Sequence, residues 1–208
     1  MSVLSNVEIR NRIGRPNYKD KLIVTPLLSE KQIGTASIDI RLGSSIIVPK
    51  KTYVESHDMT RRKSVRQVER KLYDRVRLRY HSKFILHPDE LILGVTFEYI
   101  CLPHDTFCSV TSRSSWGRLG LVVATASIVQ PGFKGSLTLE LANLSNSPVT
   151  LYPGLLVGQL VFYDIAGLRL GDPVYKGRYD CPTEAGRPQF YTQAIDDEMS
   201  YWGQEERS

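Results

Sequence analysis

The chain has 208 residues, 41% of them hydrophobic, and a formal net charge of +5 at pH 7. A chain of this length can bury one hydrophobic core, so we expect one domain over residues 1–208. No stretch approaches the roughly 18 consecutive apolar residues of a membrane span, and the start MSVLSNVEIR lacks the basic-then-apolar pattern of a secretory signal, so we expect neither.

The cysteine content also excludes several classes of protein. Cys101, Cys108 and Cys181 are an odd number, are widely spaced and include no CxxC pair. This pattern argues against a disulfide framework and against a zinc site, and it favours a reducing cytoplasm.

The first predicted elements are a short helix with connecting turns in residues 4–30 and a strand that follows. The strand reads ASIDIRLGSSIIV and alternates in polarity. Ile38, Ile40 and Leu42 fall on one face, while Asp39 falls on the other. We therefore expect one face of this strand to point into the core.

Residues 61–80 concentrate the positive charge of the chain. RRKSVRQVERKLYDRVRLRY holds nine Arg or Lys against Glu69 and Asp74, a local charge of +7, which leaves −2 for the rest of the chain. One interpretation is a solvated surface segment. The other is a contact with nucleic acid or an acidic protein, because such runs attract phosphates without sequence specificity.

The segments that follow predict an all-β sandwich or barrel. Short runs rich in Val, Ile, Leu, Phe and Thr are separated by turn signals such as HPDE, QPGFKG and NLSNSP, without helical periods between them. We expect a core over about 30–165. The polar tail, about 166–208, predicts an irregular C-terminal arm.

The strand SLTLELAN carries a candidate catalytic residue. Its leucines point to one face, so Thr138 and Glu140 share the opposite face. The flanking segments are apolar, which predicts a central strand. A carboxylate beside a covered sheet face is costly unless it is paired or used in chemistry; the alternative is an ordinary solvent-exposed face.

The stretch RSSWGRLG predicts a turn before the next strand, with two serines between two arginines. Arg113, Ser114, Ser115 and Arg118 could converge there on phosphate oxygens, since arginine gives bidentate contacts. A solvated turn is the alternative. The pattern is not a P-loop, because the required glycines and lysine are missing.

Other catalytic schemes have less support. The histidines show no HxH or HxxxH spacing, no GxSxG elbow is present, and the zinc deaminase signature of HxE followed by PCxxC is absent. The sequence therefore gives no support for zinc. The four histidines are His57, His81, His87 and His104.

Three segments together resemble the dCTP deaminase family, a branch of the trimeric dUTPase superfamily. They are GTASIDIRLG, SRSSWGRLGLVVATASIVQPGFKGSLTLELAN and YPGLLVGQLVF, in the family's order and spacing. The resemblance implies a distorted jelly-roll of the dUTPase type, with a short N-terminal helix, assembled as a homotrimer. It also implies sites between subunits that bind a deoxynucleoside triphosphate with Mg²⁺ and use no zinc.

The resemblance also assigns catalytic roles. Glu140 matches the glutamate that takes a proton from water and passes protons to the ring nitrogen and the departing ammonia. Ser114 matches the serine that holds this water. Arg118 matches an arginine that places and polarises the reacting centre.

Further positions match residues that bind the nucleotide. Arg113 and Ser115 match triphosphate-binding positions, and Thr125 and Ala126 match the segment whose backbone reads the cytosine edge. The segment VYKGRYDCPTE resembles the family's arm that folds over the triphosphate. In that arm we expect substrate contacts from Tyr175, Lys176 and Arg178.

Several positions depart from the family pattern. Gln130 stands where the family and dUTPases have an aspartate, which in dUTPases contacts the sugar hydroxyl and helps activate the hydrolytic water. A glutamine can still hydrogen-bond a sugar hydroxyl, so we expect Gln130 to bind substrate, but it cannot act as a base near neutral pH. Ile128 replaces a family arginine. In the arm, Val174 replaces a common lysine and Arg178 a glutamine.

The leading hypothesis is a hydrolase that deaminates dCTP to dUTP and ammonia in pyrimidine deoxynucleotide metabolism. One alternative is a dUTPase, or a bifunctional enzyme forming dUMP, which Gln130 argues against. Another is a non-catalytic nucleotide-binding regulator that uses the basic segment. As partners we expect dCTP or dUTP, with dTTP as a candidate regulator, and neither a membrane nor nucleic acid.

Overall fold

A curled antiparallel sheet dominates the fold. The computed structural model describes residues 2–51, 72–125, 128–165, 167 and 181–188. Its helices are α1 (Asn6–Ile13), a 3-10 helix (Glu30–Gln32) and α2 (Ser114–Arg118). The strands are β1 (Ser2–Val3), β2 (Ile23–Thr25), β3 (Ser37–Pro49), β4 (Tyr73–Arg77), β5 (Phe84–Leu86), β6 (Leu91–Thr96), β7 (Tyr99–Cys101), β8 (Thr106–Ser112), β9 (Leu121–Val123), β10 (Ile128–Val129), β11 (Lys134–Gly135), β12 (Thr138–Asn143), β13 (Val149–Leu151) and β14 (Leu156–Asp164).

The main sheet has the strand order β10-β8-β14-β3-β6-β12-β9, with β1 on β14 and β4 on β3. Smaller sheets, β11-β7-β2 and β13-β5, complete the described part. All pairings are antiparallel. The predicted all-β, jelly-roll-type fold with a short N-terminal helix is confirmed.

Strand β3 bends the sheet. Its first half pairs with β14 and its second half with β6 and β4, with a register shift between Leu42 and Ile46. Gly43 lies in this shift, where a Cβ would come within 2.8 Å of the Val95 side chain. Only glycine lets the two strands approach so closely, and the bend gives the sheet its curl.

The core lies on one face of the curled sheet. Ile38, Ile40 and Leu42 are fully buried there, so the predicted inward face of β3 is confirmed. Helix α1 closes one end: Ser5 caps it by accepting a hydrogen bond from the Glu8 backbone N–H at 3.3 Å. The buried Arg12 then ties the helix to the neighbouring strands through ion pairs with the carboxylates of Asp105 and Asp164.

Candidate active site

Strand β12 positions Glu140. The strand is central, with β6 on one side and β9 on the other, as the sequence predicts. Leu139 and Leu141 are fully buried in the core, whereas Thr138 and Glu140 point to the opposite face and are half-buried. The predicted alternation along this strand is confirmed, and it directs a carboxylate away from the core.

A cavity of about 480 Å³ opens over this second face of the sheet. It brings together three residues predicted to act at the site: Thr125, Gln130 and Glu140. Most of the remaining wall is apolar. The other lining residues are Leu93, Ile128, Val129, Phe133, Ser136, Leu137, Thr138, Pro182, Gly186 and Pro188.

The carboxylate of Glu140 has no hydrogen-bond or ion-pair partner among the residues that the structure describes. Its cross-strand neighbour on β6 is the apolar Leu93. Burial raises the pKa of Glu140 above its ordinary value, because the charged form loses hydration there. A carboxyl group with this property can hold and release a proton closer to neutral pH than a solvated one.

Thr125 fixes the backbone at Glu140. The Thr125 hydroxyl accepts a hydrogen bond from the Glu140 backbone N–H at 2.9 Å. The neighbouring Ala124 N–H donates to the Glu140 carbonyl at 2.8 Å. One backbone and one side-chain bond thus extend the pairing of β12 with β9, so the predicted base-reading residue Thr125 and the predicted proton carrier lie side by side.

Gln130 lies directly after β10 at the rim of the cavity. Its carbonyl accepts a hydrogen bond from the Phe133 N–H at 3.2 Å, which closes the turn QPGF. The Gln130 residue is exposed and lines the cavity. The position where the resemblance expects an aspartate therefore faces the same space as Glu140.

The predicted turn at RSSWGRLG is wrong: residues Ser114–Arg118 form the short helix α2. Trp116 anchors it, because its indole N–H donates to the Leu156 carbonyl at 2.7 Å and its ring packs against the core. Arg113, directly before the helix, has its Nε 3.7 Å from an Asp39 carboxylate oxygen. Tryptophan packing explains why a helix replaces an open turn.

The remaining polar groups of this segment are exposed, and none lines the cavity among the described residues. These groups are Ser114, Ser115 and Arg118. One copy of the chain therefore does not unite them with Glu140. Their assigned roles, and that of Arg113, stay predictions.

Sequence reasoning missed one wall of the cavity, which residues 181–188 form. We call these residues the cover segment. Pro182 accepts a hydrogen bond from the Ser136 N–H at 2.7 Å, and the Gly186 N–H donates to the Thr138 hydroxyl at 2.9 Å. The resemblance predicted that an arm folds over the nucleotide, but it did not predict where that arm attaches to the sheet.

Several predicted residues lie outside the described part of the chain. They are Ala126, Tyr175, Lys176, Arg178 and residues 61–71 of the basic segment. Among the residues that are described, no group of three or more His, Cys, Asp or Glu side chains is arranged to hold a metal ion. No helix in these same ranges is long and apolar enough to cross a membrane.

Comparisons with known proteins agree on one family. The model of a family described as dCTP deaminase-like matches residues 3–165. A relative from Methanosphaera stadtmanae named dCTP deaminase, dUMP-forming, is 35% identical over 166 residues, covering 78% of this chain and 79% of the relative. A relative from Halorubrum lacusprofundi named dCTP deaminase is 38% identical over 165 residues, covering 78% of this chain and 77% of the relative.

A solved structure has a similar fold. The crystal structure of 2'-deoxycytidine 5'-triphosphate deaminase from Agrobacterium tumefaciens matches with a TM-score of 0.57 and 25% identity. The match covers 77% of this chain and 47% of that one, so the chain spans about half the length of that protein.

Proposed function

Because the chain belongs to the dCTP deaminase-like family, we propose that it hydrolyses dCTP to dUTP and ammonia. The observation that carries this proposal is the Glu140 carboxylate, which faces an apolar-walled cavity without a partner among the described residues. Relatives named as dCTP deaminases support the choice of substrate.

In the proposed reaction, Glu140 accepts a proton from the attacking water as the oxygen bonds to C4 of cytosine. The carboxyl group delivers this proton to the ring nitrogen. It then takes the second proton from the hydroxyl on C4 and passes it to the amine, which departs as ammonia while the C4 carbonyl forms. The raised pKa of Glu140 supports both directions of transfer, because the acid and base forms are closer to balance near neutral pH. Thr125 holds the Glu140 backbone in place.

We assign the triphosphate to Arg113 and Ser115, the attacking water to Ser114, and the placing and polarising of the reacting centre to Arg118. These residues do not line the cavity of their own chain, which supports the proposal that they serve the cavity of a neighbouring copy in a homotrimer. Light scattering should then give about three times the monomer mass of 23.6 kDa. A monomer mass would contradict this part.

Mg²⁺ fits the proposed site as an ion carried by the substrate phosphates. The cavity offers a single carboxylate, and the described residues contain no cluster of metal ligands. Arg113 and Ser115 would bind the phosphates that hold the ion, whose charge would offset that of the triphosphate. The proton transfers above depend on Glu140 and not on the ion.

A second candidate is a bifunctional enzyme that goes on to cleave dUTP to dUMP. The relative from Methanosphaera stadtmanae carries the name dUMP-forming, which favours it. Gln130 argues against it, because an amide at the cavity rim cannot activate a water molecule as a base.

One assay separates these functions. Purified protein is incubated with Mg²⁺ and dCTP, dUTP or CTP, while ammonia and diphosphate are followed separately. The proposal predicts ammonia from dCTP without diphosphate from dUTP. Ammonia and diphosphate together would establish the bifunctional enzyme, and diphosphate from dUTP without ammonia from dCTP would sink the deaminase proposal.

A further inference from the structure

The cover segment, residues 181–188, is held against the sheet face that carries Glu140. Two hydrogen bonds attach it to the start of β12, from the Ser136 N–H to Pro182 and from the Gly186 N–H to Thr138. Between these bonds, Ala185 is almost fully buried in a small apolar cluster with Ile47, Leu93 and Val95. Leu93 also lines the cavity, so the cluster and the cavity share a wall.

Two arginines of β4 supply the charged contacts to the same segment. Arg75 and Arg77 alternate along the strand and therefore share one face. Both guanidinium groups bind the carboxylate of Glu184, one on each oxygen. Arg75 also donates from Nη2 to the Ala185 carbonyl at 3.1 Å, which extends its grip to the backbone.

The register of the sheet explains why these arginines meet the cover segment. Arg75 pairs with Ile47 of β3, and Arg77 pairs with Ser45. Ile47 belongs to the cluster that receives Ala185. The arginine side chains therefore leave the sheet on the face where the cover segment lies, beside the cavity and not on the core side.

These contacts bear on the positive charge of residues 61–80. Arg75 and Arg77 are two of its nine cations, and in the described part, residues 72–80, their carboxylate partner is Glu184 of the same chain. The described strand of the segment thus has a local role that requires no nucleic acid. Arg79, two residues further on and exposed, is a matched control, because the arginines that contact Glu184 are Arg75 and Arg77.

We propose that Arg75 and Arg77 are positioning residues for the nucleotide site: by holding Glu184, they keep the cover segment in place as a wall of the Glu140 cavity. The proposal rests on the function proposed above. Loss of the ion pairs removes the contacts between Glu184 and β4, so the cover segment leaves its place at the cavity more often. Nucleotide binding weakens as a result, while the chemistry at Glu140 is unchanged once the nucleotide is bound.

The test uses the full chain with Glu184→Gln, and separately with Arg75→Gln plus Arg77→Gln. Amide hydrogen exchange is measured for Ser136 and Gly186, whose N–H groups hold the segment. Exchange should accelerate about 2- to 30-fold, the range expected when two largely exposed ion pairs are lost. Glu184→Asp, which keeps the charge, should recover most of the protection, and Arg79→Gln should leave exchange unchanged.

Nucleotide binding is then measured by calorimetry in the Glu140→Gln background, so that dCTP is not consumed. Breaking the ion pairs of Glu184 with Arg75 and Arg77 should raise the dissociation constant about 2- to 30-fold, in proportion to the exchange rate. In the background with Glu140 intact, KM should rise similarly while kcat changes less than about twofold.

Each outcome decides the proposal. Unchanged exchange in both Glu184→Gln and the double arginine variant would show that the ion pairs do not hold the cover segment. Faster exchange with unchanged dCTP affinity would overturn the positioning role. An equal effect of Arg79→Gln would also overturn it, because the arginines would then act through general charge. If the protein binds dCTP but releases no ammonia, the proposed function fails. The exchange and affinity data still decide whether Arg75 and Arg77 position the cover segment.

Discussion

Glu98, in the bend between β6 and β7, and Glu140, on β12, are two glutamates with opposite surroundings. Glu98 is fully buried, and its carboxylate receives hydrogen bonds from Gln32 at 2.9 Å and from the Arg41 backbone and side chain at 2.8 and 2.9 Å. Glu140 is half-buried beside an apolar wall, without a partner among the described residues. A buried carboxylate with all its partners stabilises a fold, whereas one without them is available for chemistry.

Removal of the paired carboxylate should have the largest effect on stability. Glu98→Ala leaves the Arg41 guanidinium, only 13% exposed, without its counterion. We expect the free energy of unfolding to fall by about 3–5 kcal/mol, measured by urea denaturation. Glu30→Ala is the control: its ion pair with Arg10 is solvent-exposed and should contribute less than about 1 kcal/mol. Equal losses of unfolding free energy in the two variants would contradict the difference drawn between the buried and the exposed carboxylate.

The second-largest effect should come from loss of the Thr125 hydroxyl, which holds the backbone of Glu140. Thr125→Val removes the acceptor of the Glu140 N–H, which costs about 1–3 kcal/mol for an unmade hydrogen bond. The shifted backbone should lower kcat for ammonia release about tenfold. Thr125→Ser keeps the hydroxyl and should stay near wild type. If both variants lose activity equally, the hydroxyl is not what positions Glu140.

A second carboxylate at the cavity should add the cleavage of dUTP to the activities of the protein. Gln130→Asp places a base at the rim, while Glu140 is untouched. Diphosphate release from dUTP should rise about 100-fold, the low end of what a general base contributes. Gln130→Asn, which retains an amide, should show no gain. Vigorous dUTP cleavage by the wild-type protein would contradict the role given to Gln130.

The pH dependence of stability should show the smallest effect. The pKa of Glu140 is raised in the folded state, so between the ordinary value of 4.5 and the raised value the folded chain binds more protons. Wild-type stability should therefore fall, relative to Glu140→Gln, as pH rises through that window, and the difference should become constant above it. A difference that is constant from pH 4 to 8 would contradict the raised pKa.

The pKa of Asp105 is shifted in the opposite direction to that of Glu140. Burial opposes ionisation there, but the Thr106 hydroxyl and Arg12 outweigh it and lower the pKa of Asp105. Its contribution to stability is present above the unfolded pKa and is lost as pH falls through the lower folded value. Because Asp105 is the same in wild type and Glu140→Gln, this contribution cancels in their difference.

Local patterns in the sequence predicted much of the fold and part of the site. Alternation was enough to direct Glu140 away from the core, because side chains on a strand point to opposite faces in turn. The apolar segments on either side were enough to predict that β12 is central. The short helix α1 and the inward face of β3 followed from the same kind of pattern.

Contacts between distant segments could not be predicted in the same way. Arg77 and Glu184 are 107 residues apart in sequence, and nothing local pairs them. The bend of β3 depends on the approach of Gly43 to Val95, which is another long-range contact. Helix α2 was missed because Trp116 is anchored by Leu156, forty residues away.

The central claim is that Glu140 carries the protons of deamination, and Glu140→Gln tests it most directly. Ammonia release from saturating dCTP should fall about 1000-fold, within the contribution of a positioned acid-base group. Calorimetric dCTP binding should persist and folding stability should not decrease, because the amide keeps the shape without the uncompensated charge. Ammonia release by Glu140→Gln at the wild-type rate would contradict the claim.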